Sequence, residues 1–389
     1  MISKTDKFLN TLNKITPKGN VITFNSFPDA ADNALPLYEY IIKQRPDLLD
    51  RYNLIWLAGG DPGRCREILK RRIPEINHTV YKKNSIPGLF AFMRSKLVFN
   101  THGGFDQINM HGAQKRVLLW HGMPLKKIGN YEEPNRYCKE KSEYTIATSE
   151  CFRKIMAKAM GVPEENAFVT GYPRNDLLLA NNDALQRLNI DKTEYDKIFC
   201  WLPTYRKAVI GDIRTDGAEG SFGAVDVLKN HIEELEAKLT ENNYLLLIKP
   251  HPMDIICRME LPYSDHVRVL GNDEISEAGL QIYEILGNCD VLFTDYSSVY
   301  VDFLITGKPI VFVCDDFEQY DKTRGFIFDN MRDLMPGPLL ENFNQMLDYF
   351  DRVDDTASRW SDAYKKIRDY FISDKDSYSC ERVCRLFLD

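Results

Sequence analysis

The feature that most constrains the fold is a repeated alternation between short apolar runs and helix-length segments. Strands of a parallel sheet are buried on both faces, so they are short and almost continuously apolar, and helical crossovers join them. The alternation therefore predicts an α/β fold built from Rossmann-like, doubly wound parallel sheets. The predicted strands cover residues 21–24, 53–57, 96–100, 116–120, 144–148 and 167–170, and then 196–201, 245–249, 267–270, 291–294 and 309–313.

The strand pattern restarts after a polar stretch at residues 180–192, which marks the best domain boundary. We predict an N-terminal domain of residues 1–182 and a C-terminal domain of residues 183–389, since α/β domains of roughly 150–200 residues are common. Ligands of doubly wound sheets bind at the carboxyl ends of the strands, so we expect the two domains to face a cleft. An amphipathic helix is predicted at residues 225–240. Residues 354–388 also look helical, and we expect this tail to be able to pack back on the first domain.

Charge is divided unevenly between the two halves of the chain. Residues 1–180 hold 27 lysines and arginines against 18 acidic residues, whereas the remainder holds 23 against 39. A basic first domain favours an anionic partner: a membrane surface, a phosphate-bearing acceptor or nucleic acid. Nucleic acid is the weakest of these because the sequence contains no recognisable nucleic-acid-binding motif, so we expect no such partner.

Residues 1–16 have the pattern of a basic amphipathic helix, with Phe8, Leu9, Leu12 and Ile15 on one face. Two interpretations stay open: the helix lies on an anionic membrane, or it packs against its own domain. No apolar run approaches the ~20 residues that span a bilayer, and the N-terminus lacks the signal-peptide pattern. Nine scattered cysteines without a C-x-x-C pair fit reduced thiols. We therefore expect a cytoplasmic protein, peripheral at the inner face of the cell membrane.

The sequence lacks the spacings that hold metals and common cofactors. It contains no His/Cys cluster at ligand spacing, no D-x-D pair, no Walker A loop, no G-x-G-x-x-G and no G-x-S-x-G elbow. We expect neither a metal nor a cofactor. Charge on a bound phosphate would then be balanced by Lys, Arg, His and a helix N-terminus.

The first candidate site residue is His121, which follows a predicted strand in the run WHGMPLKKIG at residues 120–129. A lone histidine is more often structural. This one lies in a turn shaped by Gly122 and Pro124 and is followed by two lysines, so the loop can approach an anion closely. An imidazole titrates near neutrality and can remove a proton from an attacking hydroxyl.

Two further strand ends in the second half carry candidate phosphate ligands. Lys249 and His251 belong to the run KPHP, where the prolines stiffen the turn and a cation and an imidazole suit a diphosphate. After the strand ending at Thr294, Ser297 and Ser298 open a helix whose free N–H groups and dipole favour phosphate. Plain helix capping by these serines is compatible with that function. Asp302 lies one turn beyond Ser298 and is predicted to hold ribose hydroxyls.

Three other segments offer arginines. Arg174 in GYPRND and Arg206 in LPTYR follow predicted strands and would face the cleft, although surface arginines are common and a solvated surface explains each equally well. Arg324 precedes Gly325 in a loop that could close over phosphate, which by itself is a weak signal.

Taken together, these segments resemble the CDP-glycerol glycerophosphotransferase family, the primases and polymerases of teichoic acid and capsule synthesis. The matching runs occur in order from about residue 20 to 380, although Met123 stands where the family usually has Thr or Ser. They are FNSF with Asp32-Asn33, WHGMPLKKIG, ATSE, GYPRND, LPTYR, KPHP, TDYSSVYVDF and DFEQY with RGF. The ordered set is specific, although each run alone is not.

The resemblance implies a GT-B-like fold and transfer of glycerol phosphate from CDP-glycerol to a hydroxyl of a lipid-linked or polymeric acceptor, with release of CMP. It implies that His121 is the base on that hydroxyl, that His251 and Lys249 hold the phosphates, and that a further set binds the CDP-alcohol. That set is Gly122, Met123, Pro124, Leu125, Arg174, Pro203, Thr204, Ser297, Ser298 and Asp302.

Other functions stay open at this point. Some family members use CDP-ribitol, and the motifs do not separate the two donors. A sugar-nucleotide glycosyltransferase or epimerase could share the architecture, and CDP-glycerol and UDP-sugar thermal shifts would distinguish it. A non-catalytic, membrane-associated scaffold is disfavoured because both histidines, the paired serines and Asp302 are present.

Overall fold

A computed structural model describes residues 4–132, 141–204, 221–250, 264–354 and 361–389. The chain divides into two compact units, each described here by itself. The first consists of Met1–Met123, Ile128–Leu177 and Ser373–Asp389, and the second of Pro124–Lys127 and Leu178–Ile372. The sequence predicts a boundary at residue 182 and places the last 17 residues in the C-terminal domain, with the expectation that this tail can pack back on the first domain.

The first unit is built on a sheet of seven parallel strands in the order β3-β2-β1-β4-β5-β6-β7. This is the doubly wound order in which the chain starts centrally and reverses direction. The elements up to residue 179 are α1 (Lys4–Ile15), β1 (Val21–Asn25), α2 (Ala34–Gln44), α3 (Pro46–Arg51), β2 (Asn53–Ala58), α4 (Pro62–Arg72), β3 (Thr79–Lys82), α5 (Ile86–Arg94), β4 (Leu97–Asn100), β5 (Lys115–Leu118), β6 (Tyr144–Ala147), α6 (Glu150–Met160), β7 (Ala167–Val169) and α7 (Asp176–Leu179).

The second unit has a sheet of six parallel strands in the order β10-β9-β8-β11-β12-β13. Its elements are α8 (Ala184–Arg187), β8 (Lys197–Trp201), α9 (Ala224–Asn230), α10 (Ile232–Glu241), β9 (Tyr244–Ile248), β10 (Val267–Val269), α11 (Asn272–Glu277), α12 (Ile282–Asn288), β11 (Val291–Thr294), α13 (Val299–Phe303), β12 (Ile310–Val313), α14 (Phe317–Thr323), β13 (Leu339–Leu340) and α15 (Phe343–Asp351). Two helices then end the chain, α16 (Ser361–Phe371) and α17 (Ser379–Phe387).

All eleven predicted strands are present, and two strands were missed. β3 is an edge strand in which only Val80 is buried, so it has no continuous apolar run. β13 is two residues long and also lies at an edge. The prediction of one continuous helix at residues 225–240 is wrong. His231 leaves helical geometry (φ −135°) and separates α9 from α10. In the C-terminal tail the described residues form two helices, since the chain leaves α16 before residue 373.

The centre of the first sheet is held by an aromatic cluster beneath the strand ends that carry the candidate site. Phe24 of β1 packs against Tyr38, Trp56 and Phe99, with ring centroids 5.1, 5.9 and 5.5 Å away. Such rings bury large apolar areas and leave little room for the strands to slide. β1, β2 and β4 therefore end at fixed positions.

The C-terminal helix α17 contacts the rest of the first unit at both ends, through hydrogen bonds at its start and through an aromatic ring at its end. The carboxylate of Asp176, in the GYPRND run, accepts hydrogen bonds from the backbone N–H groups of Ser379 (3.0 Å) and Cys380 (2.9 Å). At the other end, the Phe387 ring meets Tyr144 and Phe168 edge-on. Asp176 therefore supplies a carboxylate to a helix start, where N–H groups otherwise lack partners.

Helix α1 packs against its own unit through part of its surface. Leu9 and Leu12 contact the cluster around Phe92, and the buried Asn13 donates to the Asn109 carbonyl (2.7 Å). Phe8 and Ile15, by contrast, are 65% and 70% exposed. Within the described residues, no helix combines the length and apolarity needed to cross a bilayer.

Candidate active site

His121 projects from a turn whose backbone is fixed by a neighbouring loop. β5 ends at Leu118, and Trp120 then adopts φ 54° while Gly122 adopts φ 147°. A left-handed tryptophan is strained and persists only where the surroundings hold it. Asn33 does so, because its side-chain amide donates to the carbonyls of Leu119 (3.2 Å) and Trp120 (2.9 Å).

The ring of His121 is fixed by one hydrogen bond, one stacked ring and one tilted ring. Its Nδ1 lies 3.1 Å from the Thr101 carbonyl, which can only accept, so Nδ1 carries the proton. The lone pair of the neutral ring is therefore on Nε2. The ring lies 3.9 Å from Trp120 and 4.0 Å from His102, with an angle of only 9° to the second.

Burial is the largest influence on the pKa of His121, and it lowers that pKa below the ordinary value of 6.5. The Asp32 carboxylate and the bond to Thr101 act in the opposite direction, and the Arg174 guanidinium adds to the lowering. The net direction is down, so the imidazole is neutral at pH 7. A neutral imidazole with an available Nε2 lone pair can accept a proton.

Arg174 lies beside this turn and reaches the backbone of His121. Its Nη1 donates to the carboxylate of Asp32 (2.7 Å) and to the His121 carbonyl (3.0 Å). Its backbone N–H donates to the side-chain oxygen of Asn33 (3.1 Å), and the residue is only 6% exposed. In the described structure Arg174 therefore supports the turn, and its predicted contact with the CDP-alcohol stays a prediction.

Beyond His121 the chain passes into the second unit at Pro124. Met123 and Leu125 are buried. Lys127 N–H donates to the Gly325 carbonyl (3.1 Å), and Ile327 N–H donates to that of Leu125 (2.8 Å). Gly325 adopts φ 72°, and a side chain there would press on the Lys127 stem. The GMPLKK run is therefore paired with the loop that begins at Arg324, an association that the sequence did not suggest.

In the second unit, the LPT and TDYSS runs are joined by a buried carboxylate. Asp295 accepts hydrogen bonds from the backbone N–H of Thr204 (3.0 Å) and from its hydroxyl. The Thr294 hydroxyl in turn donates to the Leu202 carbonyl (2.9 Å). Pro203 and Thr204 are thereby held against the end of β11, which is the neighbour of β8 in the sheet.

Ser297 and Ser298 lie half-buried at the start of α13. The Ser297 hydroxyl accepts a bond from the Val299 N–H (3.4 Å). Asp302 is completely buried, and its carboxylate accepts a hydrogen bond from the Tyr283 hydroxyl (2.6 Å). This hydrogen bond joins α13 to α12 in the interior of the second unit. The predicted contact of Asp302 with ribose hydroxyls stays a prediction.

Lys249 follows β9, and its Nζ donates to the Pro250 carbonyl (2.8 Å). Arg324 is half-buried at the end of α14, where its N–H bonds to the Tyr320 carbonyl (2.8 Å). His251 and Arg206 lie outside the described residues. Among the residues that are described, no three His, Cys, Asp or Glu side chains converge as metal ligands would.

Sequence reasoning missed four residues around the site: Asn33, Asp32, His102 and Asp295. Each follows a strand of its sheet, and this was the signal that selected His121 and Lys249. Asp32 and Asn33 had been noted as a pair only for their resemblance. The Asp32 carboxylate accepts a bond from the Arg174 side chain, and the Asn33 amide donates to backbone carbonyls of the His121 turn. Spacing alone does not reveal partners so distant in sequence.

Comparison with known proteins finds a matching family and relatives over almost the whole chain. The family model described as CDP-Glycerol:Poly(glycerophosphate) glycerophosphotransferase matches residues 8–389. A teichoic acid glycerol-phosphate transferase of Staphylococcus aureus is 27% identical, covering 99% of this chain and 96% of the relative. A teichoic acid poly(ribitol-phosphate) polymerase of Bacillus spizizenii is 28% identical over 76% of this chain, which spans only 46% of that relative.

Among solved structures, a variant of the wall teichoic acid polymerase TagF, soaked with CDPG, matches with a TM-score of 0.78 at 22% identity. The match covers 99% of this chain and 92% of that one. Together with the two parallel sheets, this confirms the predicted α/β fold of two Rossmann-like, GT-B-like domains.

Proposed function

We propose a reaction for this chain from one premise: it belongs to the CDP-Glycerol:Poly(glycerophosphate) glycerophosphotransferase family. The family match and the relatives make it a glycerophosphotransferase of teichoic acid synthesis. Its donor is CDP-glycerol, its acceptor is a hydroxyl of a lipid-linked or polymeric chain, and CMP is released. The observation that carries the chemistry is the His121 ring, which is neutral and presents its lone pair on Nε2.

In the proposed step, Nε2 of His121 takes the proton of the acceptor hydroxyl as its oxygen attacks the β-phosphorus of CDP-glycerol. The bond between that phosphorus and the bridging oxygen breaks, and the electron pair leaves with CMP. The protein contributes a general base, positioning and charge stabilisation. Asn33 and Arg174 hold the turn that carries the base.

The second unit supplies the proposed donor site. The start of α13, with Ser297 and Ser298, offers hydroxyls and backbone N–H groups to the β-phosphate. Lys249 and His251 add positive charge, as do Arg206 and Arg324 if they reach the same phosphates. Asp295 keeps Thr204 and Pro203 in place beside this strand end. The turn of Gly122, Met123, Pro124 and Leu125 is proposed to contact the CDP-alcohol.

A second donor is favoured by one observation: a relative over 76% of this chain is a poly(ribitol-phosphate) polymerase. CMP release should therefore be measured with CDP-glycerol and with CDP-ribitol, each with several lipid-linked acceptors. Faster release with CDP-glycerol supports the proposed donor, and faster release with CDP-ribitol replaces it. No release with either donor, together with binding of both, would support a non-catalytic scaffold.

We also propose that the first unit lies on an anionic membrane at its inner face, where a lipid-linked acceptor would be found. Two helices each expose an apolar pair on one side: Phe8 and Ile15 on α1, and Ile86 and Phe90 on α5. Exposed apolar side chains beside lysines suit an anionic lipid surface. Both helices pack around the same cluster, through Leu12 and Phe92 among others.

Liposome flotation tests this proposal. The double variant Phe8→Ser and Ile15→Ser should bind less to vesicles containing anionic lipid, and high salt should weaken the remaining binding. Its matched control is the exchange to serine of Leu179 and Tyr370, which are also exposed but belong to the second unit. Equal flotation of all three proteins would rule out α1 as part of the membrane contact.

A further inference from the structure

The ring of His102 is stacked on that of the proposed base, and the proposed reaction gives it no role. Its ring is almost parallel to that of His121, with the centroids 4.0 Å apart. Trp120 also contacts the His121 ring, with centroids 3.9 Å apart and the planes tilted by 34°. The His121 ring is thus packed against two other rings, while its Nδ1 bond to Thr101 limits rotation within the plane.

The position of His102 is itself well determined. It follows β4, and the Asn100 side-chain amide donates to its carbonyl (2.7 Å). The Thr101 hydroxyl lies 3.0 Å from its Nδ1. The ring of Phe27 meets it edge-on, with centroids 5.6 Å apart and an angle of 69°. Thr101 therefore contacts both imidazoles, through its carbonyl on His121 and its hydroxyl on His102.

His102 stays uncharged while His121 titrates. Burial, then the neighbouring His121, Lys83 and Arg174, lowers the pKa of His102 to about 2. In the described part of the chain, the charged groups that act on the two rings are Lys83, Arg174 and Asp32. An uncharged ring can remain stacked when His121 gains a proton, because an aromatic face attracts a cation. A second imidazolium would repel it.

We propose that His102 is a positioning residue for the transfer reaction, and that its ring, stacked on His121, holds the plane of the base in the orientation from which Nε2 accepts the proton. This inference rests on the proposed role of His121. It predicts that the flat ring matters, whereas the nitrogen atoms of His102 do not.

Three variants separate these two properties. His102→Phe keeps a flat ring, His102→Gln keeps polar atoms without a ring, and His102→Ala has neither. We expect His102→Phe to retain kcat for CMP release within about threefold, since stacking is preserved. We expect His102→Gln and His102→Ala to lose roughly 10- to 100-fold, because a displaced catalytic group costs up to about that much. His231→Ala is the control: it removes another stacked histidine, 4.2 Å from Phe343, and should leave kcat unchanged.

The pKa of His121, followed by NMR, provides a readout that a purely structural role would not move. In His102→Ala the His121 ring gains solvent, so its pKa should rise toward 6.5 and the acid limb of kcat/KM should rise with it. In His102→Phe both should stay near the wild-type values. Thermal unfolding identifies any variant that does not fold, and the pair His102→Phe and His102→Gln then decides the question.

Two results would overturn the proposal: wild-type kcat and acid limb in all three variants, or an active Gln variant beside an inactive Phe variant. The second result would show that His102 acts through its polar atoms. His121→Ala separates this inference from the proposed function, because near-full transfer in that variant would refute the base itself, whatever the His102 variants show.

Discussion

The strand ends of the two units use their polar side chains differently. In the first unit, Asn33 and Arg174 bond to backbone carbonyls of one turn and hold a single titratable ring, that of His121. In the second, the Asp295 carboxylate joins two strand ends, and we propose that hydroxyls and backbone N–H groups, together with Lys249, meet the ligand there. In our proposal, the first unit fixes a proton acceptor and the second presents hydrogen-bond donors to an anion. Losses in the first should therefore affect kcat, and losses in the second should affect donor affinity.

The largest effect is expected from His121→Ala. Loss of a general base costs on the order of 10²–10⁴ in rate, so kcat for CMP release should fall by that amount while the Kd for CDP-glycerol changes little. Stopped assays with CDP-glycerol give the first quantity and calorimetry gives the second. His111→Ala, another histidine of the first unit, is the control. A variant with near-full kcat would show that another group takes the proton.

Arg174→Met should give the next largest effect. The side chains of Arg174 and Asp32 are only 8% and 10% exposed, so this substitution leaves the Asp32 carboxylate without its ion-pair partner and with little solvent. Breaking such a pair costs about 3–5 kcal/mol of unfolding free energy. The His121 turn also loses a donor, so kcat should fall by about 10²-fold. Urea unfolding and steady-state kinetics measure the two effects. A rise in KM for CDP-glycerol with unchanged kcat would instead place Arg174 on the donor.

The dependence of kcat/KM on pH should show how the first unit sets its base. Because burial lowers the pKa of His121, the imidazole stays unprotonated below pH 6.5 and the acid limb should lie below that value. Asp32 raises this pKa, so Asp32→Asn should move the limb to still lower pH. Asn also tolerates the φ of 56° found there. An upward movement of the limb would contradict this account.

The sequence predicts those features of the fold and site that depend on residues close together in the chain, and it does not predict those that depend on distant residues. Strands such as β1 and β11 were predictable because burial on both faces leaves a local apolar run. β3 was not, because an edge strand with one buried residue has no such run. His121 could be selected from its place after a strand, whereas the stacking of His102, 19 positions earlier, depends on β4 lying beside β5. Likewise, Asp302 appears on the helix face of Ser298, but burial against Tyr283 follows only from packing.

The smallest effect is expected from Ser298→Ala, and it tests the second half of the comparison. If backbone N–H groups carry much of the phosphate binding, removing one hydroxyl should weaken the affinity for CDP-glycerol by only about 2- to 12-fold, the equivalent of one neutral hydrogen bond of about 0.5–1.5 kcal/mol. Ser297→Ala is the matched variant. The Ser297 hydroxyl also accepts the bond from Val299 N–H, so its removal should in addition loosen the start of α13 slightly. Calorimetry on both variants separates the cases. A loss of more than 100-fold in either would mean that the hydroxyls, and not the backbone, provide most of the phosphate binding at this strand end.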